Sequence, residues 1–167
     1  MTQLDEATRF IQSSLSFNGE TAIILGSGLG HVCESLTNKK TLSYKEIPHY
    51  PISTVEGHAG ELVSGSLGGK NVLISNGRFH LYEGFSENDI IFPFKIFKNL
   101  GIKNIITTNS SGSLNKRFPP GTLMAIDEHI DCSFQSNHDD PKKLNGNQYH
   151  SEYLLKLAKE VSKTLDI

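Results

Sequence analysis

The hydrophobic pattern of this chain changes period several times, and each change predicts an element. In residues 4–16, Leu4, Ala7, Phe10, Ile11 and Leu15 recur at helical spacing and predict a short amphipathic helix. Thr21-Ala22-Ile23-Ile24-Leu25 follows as an unbroken run of strand length, the pattern of a strand covered on both faces. It ends in Gly26-Ser27-Gly28-Leu29-Gly30. Residues 62–67 and 71–75 read as two strands joined by Gly68-Gly69-Lys70, glycines at hairpin spacing. Residues 86–100 read as a helix capped by Ser86 with Asp89, in which Pro93 predicts a kink or a restart. Gly101 stops that helix, and Asn104-Ile105-Ile106-Thr107-Thr108 predicts the next buried strand.

Residues 122–127 predict a further strand, and the polar residues 136–149, with Pro141 and Gly146, a surface loop. Residues 152–165 predict a closing helix with Leu154, Leu157, Ala158, Val161 and Leu165 turned inward. Strands alternating with helices, plus one hairpin, predict an α/β fold with a mixed, mostly parallel central sheet flanked by helices.

Composition narrows the function classes. A length of 167 residues is enough for one domain with a real core, and a net charge of −2 gives no electrostatic footprint for nucleic acid. The two cysteines, Cys33 and Cys132, lie far apart, which excludes a disulfide framework and a Cys-x-x-Cys metal site. Apolar runs are too short to span a bilayer, and the first residues lack a basic segment followed by an apolar core. The expectation is a cytoplasmic protein with no membrane partner.

Arginine occurs only at Arg9, Arg78 and Arg117, which makes Gly77-Arg78-Phe79-His80-Leu81-Tyr82-Glu83-Gly84 stand out. A fixed planar fork of charge suits phosphate or carboxylate oxygens. In an extended segment Arg78 and His80 share one face, opposite Phe79, and Tyr82 joins them if the geometry continues. The glycines at 26–30 follow a buried strand, where backbone N–H groups can cradle a phosphate, although a tight turn is the alternative. His31 occupies the third glycine position of a dinucleotide fingerprint, which disfavours a nicotinamide-binding domain.

His58 lies between glycines 57 and 60, placed either as a ligand group or as a surface histidine. Thr107-Thr108-Asn109-Ser110-Ser111-Gly112-Ser113 closes a strand with small polar residues, either at a ligand crevice or as a hydrogen-bonded turn. Asp127, Glu128, His129 and Asp131 lack partner ligands at metal-binding spacing, so no metal is expected.

In series, these segments resemble the trimeric class of purine nucleoside phosphorylases. The likeness rests on the 26–30 glycine loop, Ile47-Pro48-His49-Tyr50-Pro51, the stretch from Ser53 to Gly60, and the Arg78 octapeptide. It continues through Phe92-Pro93, the segment from Thr108 to Asn115 and Asp127-Glu128-His129-Ile130, in family order over about residues 20–134. The resemblance implies one nucleoside phosphorylase domain over residues 1–167, incomplete at the C-terminus. It implies phosphorolysis of purine (deoxy)ribonucleosides to free base and (deoxy)ribose 1-phosphate.

Ser27, His58, Arg78, His80 and Ser110 would bind phosphate, His80 would be the catalytic residue, and Tyr82 would contact ribose. No base-binding residue is implied in this chain, since the family's later segment supplies those groups. Inorganic phosphate would be a co-substrate, no organic or metal cofactor would be needed, and the assembly would be a homotrimer. The alternative is a non-catalytic α/β domain that binds phosphate or ribose phosphate, or serves only as a subunit.

Overall fold

The computed structural model describes residues 1–52, 59–132, 142–144 and 149–165. Two compact units make up the chain, residues 1–111 and 112–167.

In the first unit, helix α1 (Gln3–Leu15) starts at a capping box. Thr2 Oγ1 accepts the Asp5 N–H, and the Asp5 carboxylate accepts the Thr2 N–H in return. Ala7, Ile11 and Leu15, four residues apart, form its buried stripe. Strand β1 (Thr21–Leu25) then leads through a turn, with Gly28 at φ 85°, into a 3-10 segment. β2 (Thr37–Ser43) precedes the hairpin of β3 (Glu61–Leu67) and β4 (Lys70–Asn76). Gly68 and Gly69 both take positive φ at its tip, as a tight hairpin turn requires. Helix α2 (Glu87–Asn99) follows, and Pro93 does not divide it; β5 (Asn104–Thr107) closes the unit's sheet.

The sheet order is β2-β3-β4-β1-β5. β1 pairs parallel with β4 and β5, while β3 pairs antiparallel with β2 and β4. Successive residues of β1 point to opposite faces. Ala22 and Ile24 therefore pack with Ile11, Leu73, Ile96 and Phe97 under the helices, whereas Ile23 and Leu25 pack with Cys33, Leu36, Val63 and Ile74 on the other side. That two-sided cover is why the run shows no polar alternation. Each of the Ile, Leu, Val and Phe side chains among them contributes about 1.5–3 kcal/mol on burial. β2 was not predicted: it is a polar edge strand in which Leu42 alone is buried.

The second unit departs from expectation in three places. Residues 122–127 form no strand, because they pair with nothing among the described residues; the strand begins seven residues past Thr122 as β6 (His129–Asp131). Its antiparallel partner, β7 (Lys142–Leu144), lies within the expected loop, whose residues 136–141 and 145–148 fall outside the described set. α3 (Glu152–Leu165) forms where its stripe predicts, yet Leu157, Ala158, Val161 and Leu165 are exposed and Leu154 only half-buried. Among the described residues no apolar surface covers that stripe. No described helix is long and apolar enough to cross a membrane.

Candidate functional site

Three neighbouring strands, β4, β1 and β5, run parallel, so their carboxyl ends open along one edge of the first unit. That edge is where ligands bind in open α/β sheets. The segment after β4 carries Arg78 and His80, the turn after β1 carries Ser27, and the segment after β5 carries Ser110.

The ends of β1 and β5 are clasped through Thr108. Its hydroxyl accepts the Gly26 N–H at 2.9 Å and donates to the Ile24 carbonyl at 3.1 Å, and its own N–H donates to the same carbonyl at 3.0 Å. Gly26 is required by proximity rather than by φ. A Cβ there would lie 2.7 Å from the Thr108 carbonyl oxygen and 2.8 Å from Asn109 Cα. The Arg78 guanidinium donates through Nη1 to that Thr108 carbonyl at 3.3 Å. An arginine after β4 thus reaches past the end of β1 to the end of β5. Ser27 and Ser110 lie exposed on either side of this clasp.

The Arg78 segment alternates as its sequence predicts, up to His80. Phe79 is buried against Tyr44, Tyr50 and Phe85, with ring centroids 5.5, 6.0 and 5.3 Å away. Arg78 and His80 are half-buried on the other side. Past His80 the backbone leaves the extended form for a 3-10 turn over Leu81–Glu83, closed by Gly84 at φ 88°. Tyr82 still joins the group, by a different route: its ring stacks on His80 at 4.6 Å and 19° while staying exposed to solvent.

Glu83, of which no role was expected, holds His80 in place. Its carboxylate is 2 % exposed, lies 2.7 Å from His80 Nδ1 and accepts the His80 backbone N–H at 3.0 Å. An ionised carboxylate only accepts, so this contact puts the ring proton on Nδ1. Its position three residues after His80, before a glycine, was the available signal. Thr108 was missed because its part depends on the pairing of β1 with β5, which no local pattern encodes.

His58 lies outside the described residues. In the second unit the acidic stretch does not converge: Glu128 pairs with Lys143 at 2.8 Å, and His129 stacks on His150 with Nδ1 3.0 Å from Nε2. Among the described residues no three His, Cys, Asp or Glu side chains come together as metal ligands.

Comparison with known proteins identifies the family. A purine nucleoside phosphorylase of Bacillus subtilis is 44 % identical over 128 residues, which is 77 % of this chain and 47 % of the relative. The Geobacillus stearothermophilus enzyme of the same name is 42 % identical over 129 residues, again 47 % of its length. A solved purine nucleoside phosphorylase from Schistosoma mansoni superposes with a TM-score of 0.64 at 37 % identity, covering 70 % of this chain and 43 % of that one. A purine nucleoside phosphorylase solved in complex with ribose 1-phosphate gives 0.63 at 38 % identity. The chain spans about half the length of the curated relatives it matches. The family model of the phosphorylase superfamily matches residues 20–167, and the chain belongs to that superfamily.

Proposed function

We propose that this chain carries the phosphate and ribose side of a purine nucleoside phosphorylase. The observation that supports this best is the reach of Arg78 to Thr108, which places a fixed cation at the mouth of three parallel strands. Backbone N–H groups of the Ser27 and Ser110 turns, the Arg78 fork and His80 would hold the phosphate, with His58 completing the set. Tyr82, stacked on His80, would meet the ribose.

In the reaction a phosphate oxygen forms a bond to C1′ as the bond from C1′ to the base nitrogen breaks. The bonding pair leaves with the base, which takes up a proton. Charge builds on the sugar ring between a dianion and a departing base, so orientation of the phosphate and its fixed counter-charge supply the catalysis. Only phosphate is needed as co-reactant. The groups that grip the purine would come from the part of the fold that the longer relatives possess. The assembly proposed is a cytoplasmic homotrimer.

The test is direct. Inorganic phosphate should bind the 167-residue chain in calorimetry, while inosine phosphorolysis by that chain alone should be absent or far below the level of a full-length relative. Turnover like that of a full-length enzyme would refute the half-site assignment, and absence of phosphate binding would refute the anion site.

A further inference from the structure

The backbone that aims Arg78 is held from behind by a tyrosine on a distant segment. Gly77 is buried at φ 123°. The Tyr44 hydroxyl donates to its carbonyl at 2.8 Å. Ser75 Oγ completes a triangle, 2.6 Å from the Tyr44 hydroxyl and 3.0 Å from the same carbonyl. Tyr44 is 1 % and Ser75 4 % exposed, so water cannot replace these bonds. Burial pushes the Tyr44 hydroxyl well above the usual phenol range, which keeps it a donor.

We infer that Tyr44 is the positioning residue of the anion site, acting through the Gly77 carbonyl to set the direction of Arg78. The inference rests on the function proposed above. The peptide plane between Gly77 and Arg78 is rigid, so fixing its oxygen fixes the orientation from which the Arg78 side chain departs. The Tyr44 ring then pins the next residue by packing on Phe79. With the carbonyl before Arg78 and the ring after it both anchored to one tyrosine, the guanidinium is offered to a ligand in a preset direction.

The neighbouring Tyr50 supplies the control. Its ring lies 4.8 Å from that of Tyr44, and its buried hydroxyl lies close enough to Ser75 to feel it without meeting hydrogen-bond geometry there or reaching Gly77. Tyr50→Phe therefore alters the same aromatic cluster while leaving both bonds to the Gly77 carbonyl, from Tyr44 and from Ser75, in place.

The experiment compares wild type, Tyr44→Phe and Tyr50→Phe as 167-residue chains. It titrates inorganic phosphate by calorimetry and records the side-chain N–H signals of Arg78 and His80 by NMR. Tyr44→Phe should weaken phosphate about tenfold, the effect of one lost charge-orienting bond, and should shift or broaden both signals. Tyr50→Phe should leave both readouts as in wild type.

Loss of thermal stability in Tyr44→Phe with phosphate affinity and signals unchanged would reduce Tyr44 to a core residue and overturn the inference. If wild type binds no phosphate, the function proposed above falls, and the NMR signals alone decide about Tyr44: movement in Tyr44→Phe only upholds it, no movement overturns it. Should Tyr44→Phe not fold, Ser75→Ala breaks the same triangle from the strand side and takes its place.

Discussion

The Arg78 guanidinium and the Thr108 carbonyl meet at 3.3 Å, although one residue follows β4, the other follows β5, and β1 lies between. That bond engages Nη1 of the fork. A carbonyl carries no net charge, so this bond anchors the guanidinium at the strand ends without cancelling its charge.

Replacing Arg78 by Lys should therefore cost more than its conserved charge suggests. A lysine presents a point charge on a flexible stem instead of a planar fork, so it cannot hold Thr108 and an anion in the same fixed geometry. Phosphate affinity should fall about tenfold in Arg78→Lys and further in Arg78→Ala. In a complete phosphorylase the same changes should raise KM for phosphate more than KM for nucleoside. Equal increases in both would contradict a phosphate role.

The clasp between β1 and β5 should be visible in stability. Gly26→Ala forces a methyl to within 2.7 Å of the Thr108 carbonyl oxygen and should cost about 1–3 kcal/mol by displacing β5. Thr108→Val keeps the shape but strands the Gly26 N–H that its hydroxyl accepts, at a cost of about 1–2 kcal/mol. Urea denaturation of both variants checks this, and wild-type midpoints would remove the clasp from the account.

Glu83 should govern the His80 tautomer. With the carboxylate 2.7 Å from Nδ1, wild type should show the Nδ1–H form in long-range proton–nitrogen spectra. Glu83→Leu should move population to the Nε2–H form. Spectra that match wild type would show that something else fixes the ring.

Helix α2 carries a pH-dependent start. Hydrogen bonds from the Ser86 side chain and then its backbone hold the Asp89 carboxyl below its ordinary value of 3.8. A lowered folded-state pKa means stability that is present above the unfolded value and lost as pH falls through the folded one. Asp89→Asn should accordingly destabilise the chain at neutral pH, and the difference should narrow and close as pH falls from the ordinary value of 3.8 through the lowered folded-state one. Thermal melts of both proteins across that range are the measurement; a gap independent of pH would assign the effect to shape instead of charge.

The parts of the fold that could be read from sequence are those whose cause is local. β1, the β3–β4 hairpin and α2 each carry their own signal, namely a double-sided apolar run, two glycines at positive φ, and a capping box. β2 was invisible because an edge strand with Leu42 as its one buried side chain resembles a polar loop. Residues 122–127 misled in the opposite way: their apolar content suggested a strand, but a strand needs a partner and they have none described. At the site, Arg78, His80 and Tyr82 were legible as residue types in one motif. Their supports were not, since Thr108, Tyr44 and Ser75 act only after distant segments have been brought together.

That distance has a kinetic meaning. The Gly26 amide and Thr108 hydroxyl are 82 residues apart in sequence, and Ile24 and Thr108 are 84 apart. Closing so long a loop carries its entropy cost before any contact rewards it, so the clasp belongs to the late stage of folding. An anion held by the clasped ends would bind after the main barrier has been crossed. Phosphate at the proposed site should then slow unfolding and leave the folding rate unchanged, so that ligand and sheet lifetime would rise together.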